Sequence, residues 1–177
     1  MSYLTVNDLL YAAVNESLAN TASVNIVTSR EKAEVTAFLC HSHKDKTLVL
    51  GFIRRLAALG LKLYVDWNDT GMPQITNRET AAKIKGKIKE MGLFIMLATP
   101  NALASRWCPW ELGVADQMKG YDRIVIVPVT DSSGKFEGSE YLQLYKRLES
   151  AGMKIGVLDP GAQNIVFAES YLRAIKQ

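Results

Sequence analysis

Cysteine is scarce in this chain, with 2 in 177 residues. That scarcity excludes a small disulfide-stapled fold and fits two free thiols in a reducing cytosol. An excess of one charge sign is missing as well. A formal net charge of +3 is too mild to mark a nucleic-acid binder. The densest lysine cluster, KIKGKIKE (83–90), reads as the solvated face of a helix. No apolar run approaches the roughly 18–20 residues of a membrane-spanning helix. The opening MSYLTVNDLLYAAVNESLAN lacks a basic region followed by an apolar stretch, so no secretory signal is expected. Internal repeats and low-complexity segments are absent. No glycine-rich loop follows the first strand-like segment, which argues against Walker and Rossmann phosphate sites.

What is present suits a packed domain, since 48% of residues are hydrophobic and 22% charged, the balance of an ordinary globular core. The first segment reads as an amphipathic helix. Thr5 can cap it, Asp8 lies in its first turn, and Leu9, Leu10, Ala13, Val14 and Leu18 recur at helical spacing. A polar stretch, ANTASVNIVTSREK, follows, so residues 1–32 are expected to form a helical extension and linker and residues 33–177 the main domain.

From Glu34 onward, short apolar strands alternate with helical patterns. The expected strands are 35–40, 61–67, 93–99, 123–129 and 154–159; the expected helices are about 44–59, 77–91, 106–119, 139–151 and 163–176. This alternation predicts a five-stranded parallel sheet covered on both faces, with flavodoxin-like, doubly wound order. Ligands of such sheets bind outside the carboxyl ends of the strands. Those ends carry CHSHKDK, DWNDTGMPQIT, ATPNALASRW and VTDSSGKFEGSE.

In the first of these loops, Cys40, His41 and His43 have the residue types of metal ligands. Structural zinc needs four ligands at recognisable spacing, and only Cys108 remains to complete the set. No metal site is therefore expected. A Cys-His nucleophilic pair has no local signature. Ser42 or Asp45 can cap the next helix, and Ser42 with the exposed backbone can equally meet a ligand. In the second loop, Asp66, Asn68 and Asp69 fit turn formation as well as cation binding, and the calcium-loop pattern is not satisfied. Thr76 and Glu79 have capping-box spacing. Trp67, Met72 and Ile75 put apolar bulk in a polar loop, the mark of a contact surface or lid. In the third, SRWCPWELG (105–113) offers Ser105 as an N-cap and Pro109 in the first turn. Glu111 then falls early in a helix at the ligand-binding edge. The macrodipole alone would favour it there, and tryptophans ordinarily serve the core; a catalytic carboxylate is the other reading.

Four segments in order carry a family resemblance: FLCHSHKDK, YVDWND with MP and TNRET downstream, FIMLATPNALASRWCPWELG, and IVIVPV. Over about residues 34–159 the chain resembles a TIR (Toll/interleukin-1 receptor) domain, and is most similar to bacterial TIR proteins of the Thoeris anti-phage defence system. The first helix lies outside the common domain. Many TIR domains cleave NAD between nicotinamide and ribose, with a glutamate in a W-x-x-x-E type pattern that Trp107 and Glu111 match. The resemblance therefore implies Glu111 as the catalytic residue, with Phe38, Leu39, Ser42, Asp66, Trp67 and Trp107 lining the site. It implies NAD as substrate with no cofactor, a homo-oligomer, and a cyclic ADP-ribose signal passed to an NAD-consuming effector, with neither nucleic acid nor membrane as partner. DWND and Met72-Pro73 depart from the receptor pattern, so receptor adaptors are not transferred. A catalytically silent interaction module working through the 66–76 loop is the alternative. A phosphoacceptor domain is disfavoured because LFIMLAT (93–99) ends without an aspartate.

Overall fold

A computed structural model describes residues 2–15, 35–68, 77–131, 134–136, 138–151 and 154–176. The chain opens with a two-residue strand, β1 (Leu4–Thr5), and a helix, α1 (Val6–Val14). Thr5 caps this helix in a full capping box: its hydroxyl accepts from the Asp8 amide at 3.0 Å, and the Asp8 carboxylate accepts from the Thr5 amide at 2.9 Å. The remaining elements are β2 (Val35–Cys40), α2 (Lys46–Leu56), β3 (Leu61–Tyr64), α3 (Arg78–Glu90), β4 (Leu93–Ala98), α4 (Pro100–Leu103), α5 (Cys108–Lys119) and β5 (Ile124–Thr130). After them come β6 (Lys146–Ala151), β7 (Lys154–Leu158), β8 (Val166–Phe167) and α6 (Ala168–Ile175).

Five parallel strands run in the spatial order β3-β2-β4-β5-β6. Numbered along the chain from β2, that is the 2-1-3-4-5 order of flavodoxin-like sheets. The expectation of a mixed α/β, flavodoxin-like fold with an extra amino-terminal helix is met. Two details differ. The fifth parallel strand is 146–151, where a helix was expected, and the expected strand at 154–159 is β7, antiparallel to β6. The segment KRLESA carries helix-forming residues, but a hairpin with β7 and pairing to β5 impose the extended state. The expected helix at 163–176 is shorter, because Val166–Phe167 pair with β7 before α6 begins.

Helices cover both faces. Leu9, Val49, Phe52, Leu56, Ala168 and Leu172 bring α1, α2 and α6 against one apolar face of the sheet. Ile84, Ile88, Ala102, Cys108, Leu112 and Ala115 bring α3, α4 and α5 against the other. Each large side chain so buried contributes about 1.5–3 kcal/mol. Gly51 lets α1 lie directly on α2, since a Cβ there would fall 1.9 Å from the Leu9 carbonyl oxygen. β1 pairs with the carboxyl end of β5, Leu4 opposite Val129, while the Ser2 and Ser150 backbones exchange hydrogen bonds of 3.1 and 2.9 Å. Residues 2–5 thus fill the fork where β5 and β6 part, and Leu4 and Leu9 are wholly buried. No helix among the described residues is long and apolar enough to cross a membrane.

Candidate active site

The buried stripe of α5 is Cys108, Glu111, Leu112 and Ala115, a helical spacing of three, four and seven residues. Glu111 therefore points into the protein because of its position in that stripe, not despite it. The helix starts where expected. The Ser105 hydroxyl accepts from the amides of Trp107 at 3.1 Å and Cys108 at 3.4 Å, and Pro109 sits in the first turn.

Glu111 is only 7% exposed. Burial, helped by the neighbouring Cys108, pushes its carboxyl from the ordinary 4.5 up to about 8; a hydrogen bond with the Cys40 thiol opposes this, and the Asp66 charge adds a smaller push. No Lys or Arg among the described residues forms an ion pair with it. Two thiols lie beside Glu111, Cys40 at the end of β2 and Cys108 in the first turn of α5. Cys40 Sγ lies 3.8 Å from the Cys108 carbonyl oxygen, and Cys108 Sγ lies 3.4 Å from the His41 carbonyl oxygen. Both cysteines are free and buried. Burial raises the Cys40 thiol well above its ordinary value. The hydrogen bond from Cys40, helped by one from Ser105 and opposed by burial, draws the Cys108 thiol below its ordinary value.

The loops after β2 and β3 meet through His41, Asp66 and Trp67. His41 is buried, with Nδ1 2.9 Å from the Leu39 carbonyl oxygen and its ring edge-on to Trp67 at 4.4 Å. Desolvation holds His41 below its ordinary 6.5. Asp66 Oδ1 lies 3.4 Å from His41 Nε2, and Asp66 Oδ2 lies 2.7 Å from the Nε2 of the exposed His43.

The candidate residues thus fall into two groups. Glu111, Ser42, Asp66, Trp67 and Trp107 all sit on the loops and the helix start at the carboxyl ends of β2, β3 and β4. Phe38 and Leu39 are core side chains on opposite faces of the sheet. Phe38 stacks on Tyr64 and Phe94 with centroids 5.6 and 5.7 Å away, so Leu39 meets the site through its carbonyl. Trp107 and Trp110 pack edge-to-face at 5.1 Å against the α3–α5 core, and Lys85 Nζ lies 5.6 Å from the Trp110 ring. Ser42 accepts from the Lys44 amide, and Asp45 accepts from Thr99 Oγ1 and Asn101 Nδ2 at 2.5 and 2.6 Å. Asn77 caps α3 by accepting from the Thr80 amide, while Asp69, Met72, Ile75 and Thr76 lie outside the described residues.

Sequence reasoning missed the meeting of His41, His43 and Asp66. The pairing of Phe38 with Tyr64, continued two or three residues along parallel strands, would have placed His41 beside Asp66 and Trp67. Two clefts of about 400 and 410 Å³ lie elsewhere, around Phe136 beside the carboxyl end of β5, and Glu111 lines neither. Cleft size and chemistry disagree, and the buried carboxylate is the more specific sign of a reaction site.

The 2-1-3-4-5 strand order marks a doubly wound α/β protein, a class whose ligands bind at the topological switch point, beside the first and third strands. The TIR domain family matches residues 37–155, and the chain belongs to that family. It is 32% identical over 160 residues to "Probable 3' cyclic ADP-D-ribose synthase ThsB'" of Bacillus cereus (strain MSX-D12), covering 82% of each chain. It is 23% identical over 119 residues to "Putative cyclic ADP-D-ribose synthase TIR2" of Cytobacillus dafuensis, covering 66% of this chain and 31% of that one.

Proposed function

We propose that this chain cleaves NAD+ at the bond between nicotinamide and ribose and closes the remaining ADP-ribose into a cyclic product. The observation that carries the reading is Glu111: a buried carboxyl with no cationic partner among the described residues, at the carboxyl-end edge of the sheet. The names of the two relatives support the reaction class.

Nicotinamide in NAD+ is already cationic, so its departure needs no general acid. The C1′–N bond breaks with its electron pair leaving on nicotinamide, and positive charge develops at the ribose C1′ and ring oxygen. Ionised Glu111 stabilises that charge, and the low dielectric around it strengthens the attraction. The substrate's own cation draws the raised carboxyl towards ionisation on binding. A hydroxyl oxygen of the same ADP-ribose then forms the new bond to C1′, and its proton passes to Glu111 or to water. Water in place of that hydroxyl gives simple hydrolysis, so exclusion of water decides the product. Trp107 shapes the wall over Glu111. Ser42, Asp66, Trp67 and the backbone at Phe38–Leu39 line the approach. The product is the signal to an NAD-consuming anti-phage effector, and the chain works as a homo-oligomer.

The test compares wild type and Glu111→Gln, as purified protein with NAD+ and in phage-challenged cells, following nicotinamide and cyclic ADP-ribose by mass spectrometry. Both should disappear in the variant. Equal release from the two proteins would end the assignment.

A further inference from the structure

Spacing along the chain argues against a metal, but the fold collects three ligand types that the sequence keeps apart. Among the described residues, His41, His43 and Asp66 form the one group whose donor atoms could share an ion; these atoms all lie within 4.8 Å of one another. From the juxtaposition of His41 Nε2, His43 Nε2 and the Asp66 carboxylate we infer a binding site for one divalent first-row transition ion of the zinc type.

Two independent observations aim these groups at a cation. The His41 side chain is 2% exposed, and both its Nε2 and the facing Asp66 Oδ1 lack a hydrogen-bond partner among the described residues. Buried polar atoms without partners are rare and costly. The contact that His41 does make is the one a metal ligand needs. Its Nδ1–H donates to the Leu39 carbonyl at 2.9 Å, which fixes the ring and leaves the Nε2 lone pair facing Asp66. Two electron-pair donors then oppose each other, an arrangement that a cation between them relieves.

Distances suit such an ion. Ligands at about 2.0–2.1 Å on a tetrahedral centre lie roughly 3.3 Å apart, and His41 Nε2 is 3.4 Å from Asp66 Oδ1. His43 sits closer, 2.7 Å from Asp66 Oδ2. Its exposed side chain has room to turn, so a cation can displace that hydrogen bond. Two imidazoles and one carboxylate leave a coordination position open, and the mixed donor set favours zinc, cobalt or nickel over calcium or magnesium. Asp66 also belongs to the proposed NAD+ site, so the ion and the substrate would share a carboxylate. The site itself does not depend on that reaction.

Titrating the purified chain with Co2+, read by visible absorption, and with Zn2+, read by calorimetry, tests the site. One ion per chain and the intense d–d bands of a low-coordinate Co2+ centre are expected. His43→Ala and Asp66→Asn should each weaken binding by more than the roughly 10–100-fold that loss of an outer partner costs. Neither change touches the core, and circular dichroism checks that both variants fold. Glu111→Gln should bind the ion as wild type does, which separates this result from any failure of the NAD+ reading. No saturable 1:1 binding, binding that survives both ligand variants, or a thiolate-to-cobalt charge-transfer band pointing to Cys40 or Cys108 would each overturn the site.

Discussion

Two buried carboxylates lie near the carboxyl ends of the same strands and have opposite surroundings. Asp45, 4% exposed, accepts from Thr99 and Asn101, one donor on each oxygen, and so ties the loop after β2 to the start of α4. Glu111, 7% exposed, has the Cys40 thiol and, among the described residues, no ion pair with a cation. Burial is nearly equal in the two, so burial cannot be what marks a reactive group. The difference lies in compensation. Asp45 has its lone pairs spoken for by the fold, whereas Glu111 is left with capacity that a passing cation can use.

That contrast can be broken most directly at Glu111. Glu111→Gln should lower nicotinamide release by at least about 10³-fold while the protein stays folded, as single-turnover assays and circular dichroism would report. Asp45→Ala should do the reverse. It leaves the Thr99 and Asn101 donors unpaired and costs about 3 kcal/mol, measured by urea unfolding. Release per folded molecule should fall far less than in the Glu111 variant.

pH offers a further test of Glu111. Because the folded-state value of Glu111 is raised from 4.5 to about 8, its contribution to stability is fully present below about pH 4.5. It is lost as pH climbs through about 8, since the folded state then resists giving up a proton that the unfolded state has already released. Glu111→Gln lacks this loss, so its unfolding free energy relative to wild type should rise by about a few kcal/mol from pH 5 to 8, read by urea unfolding at each pH. Over the same range kcat/KM of wild type should rise with an apparent pKa near 8, as the free enzyme's carboxyl ionises. A flat profile would remove the carboxylate from the reaction. The smallest effects concern the paired tryptophans. Trp107→Ala should lower kcat/KM about tenfold, equivalent to about 1.4 kcal/mol, whereas Trp110→Ala should lower only stability, by about 1–2 kcal/mol.

Much of this was legible in the sequence where one physical signal dominates. The apolar runs at 35–40, 93–98 and 124–130 could only be buried strands, and the SRWCPWELG segment announced a capped helix carrying Glu111. KRLESA was illegible because its strand state comes from its neighbours and not from its own residues. The core role of Phe38, stacked between Tyr64 and Phe94, follows from strand register, which a family pattern does not state. The His41–Asp66–His43 cluster joins loops more than twenty residues apart and depends on which ring nitrogen faces inward, a property with no signature in residue order.

The fork filled by residues 2–5 has a consequence for the order of folding. Leu4 pairs with Val129 and Thr5 with Thr130, so β1 cannot find its partner until the chain through β5 has been made. Contacts so distant in sequence close slowly, because a long loop must be ordered before the pairing rewards it. During synthesis Leu4 must therefore wait for β5 to emerge, whereas Leu9 can settle on α2 as soon as that helix forms. Docking β1 onto the sheet is then a late step in folding.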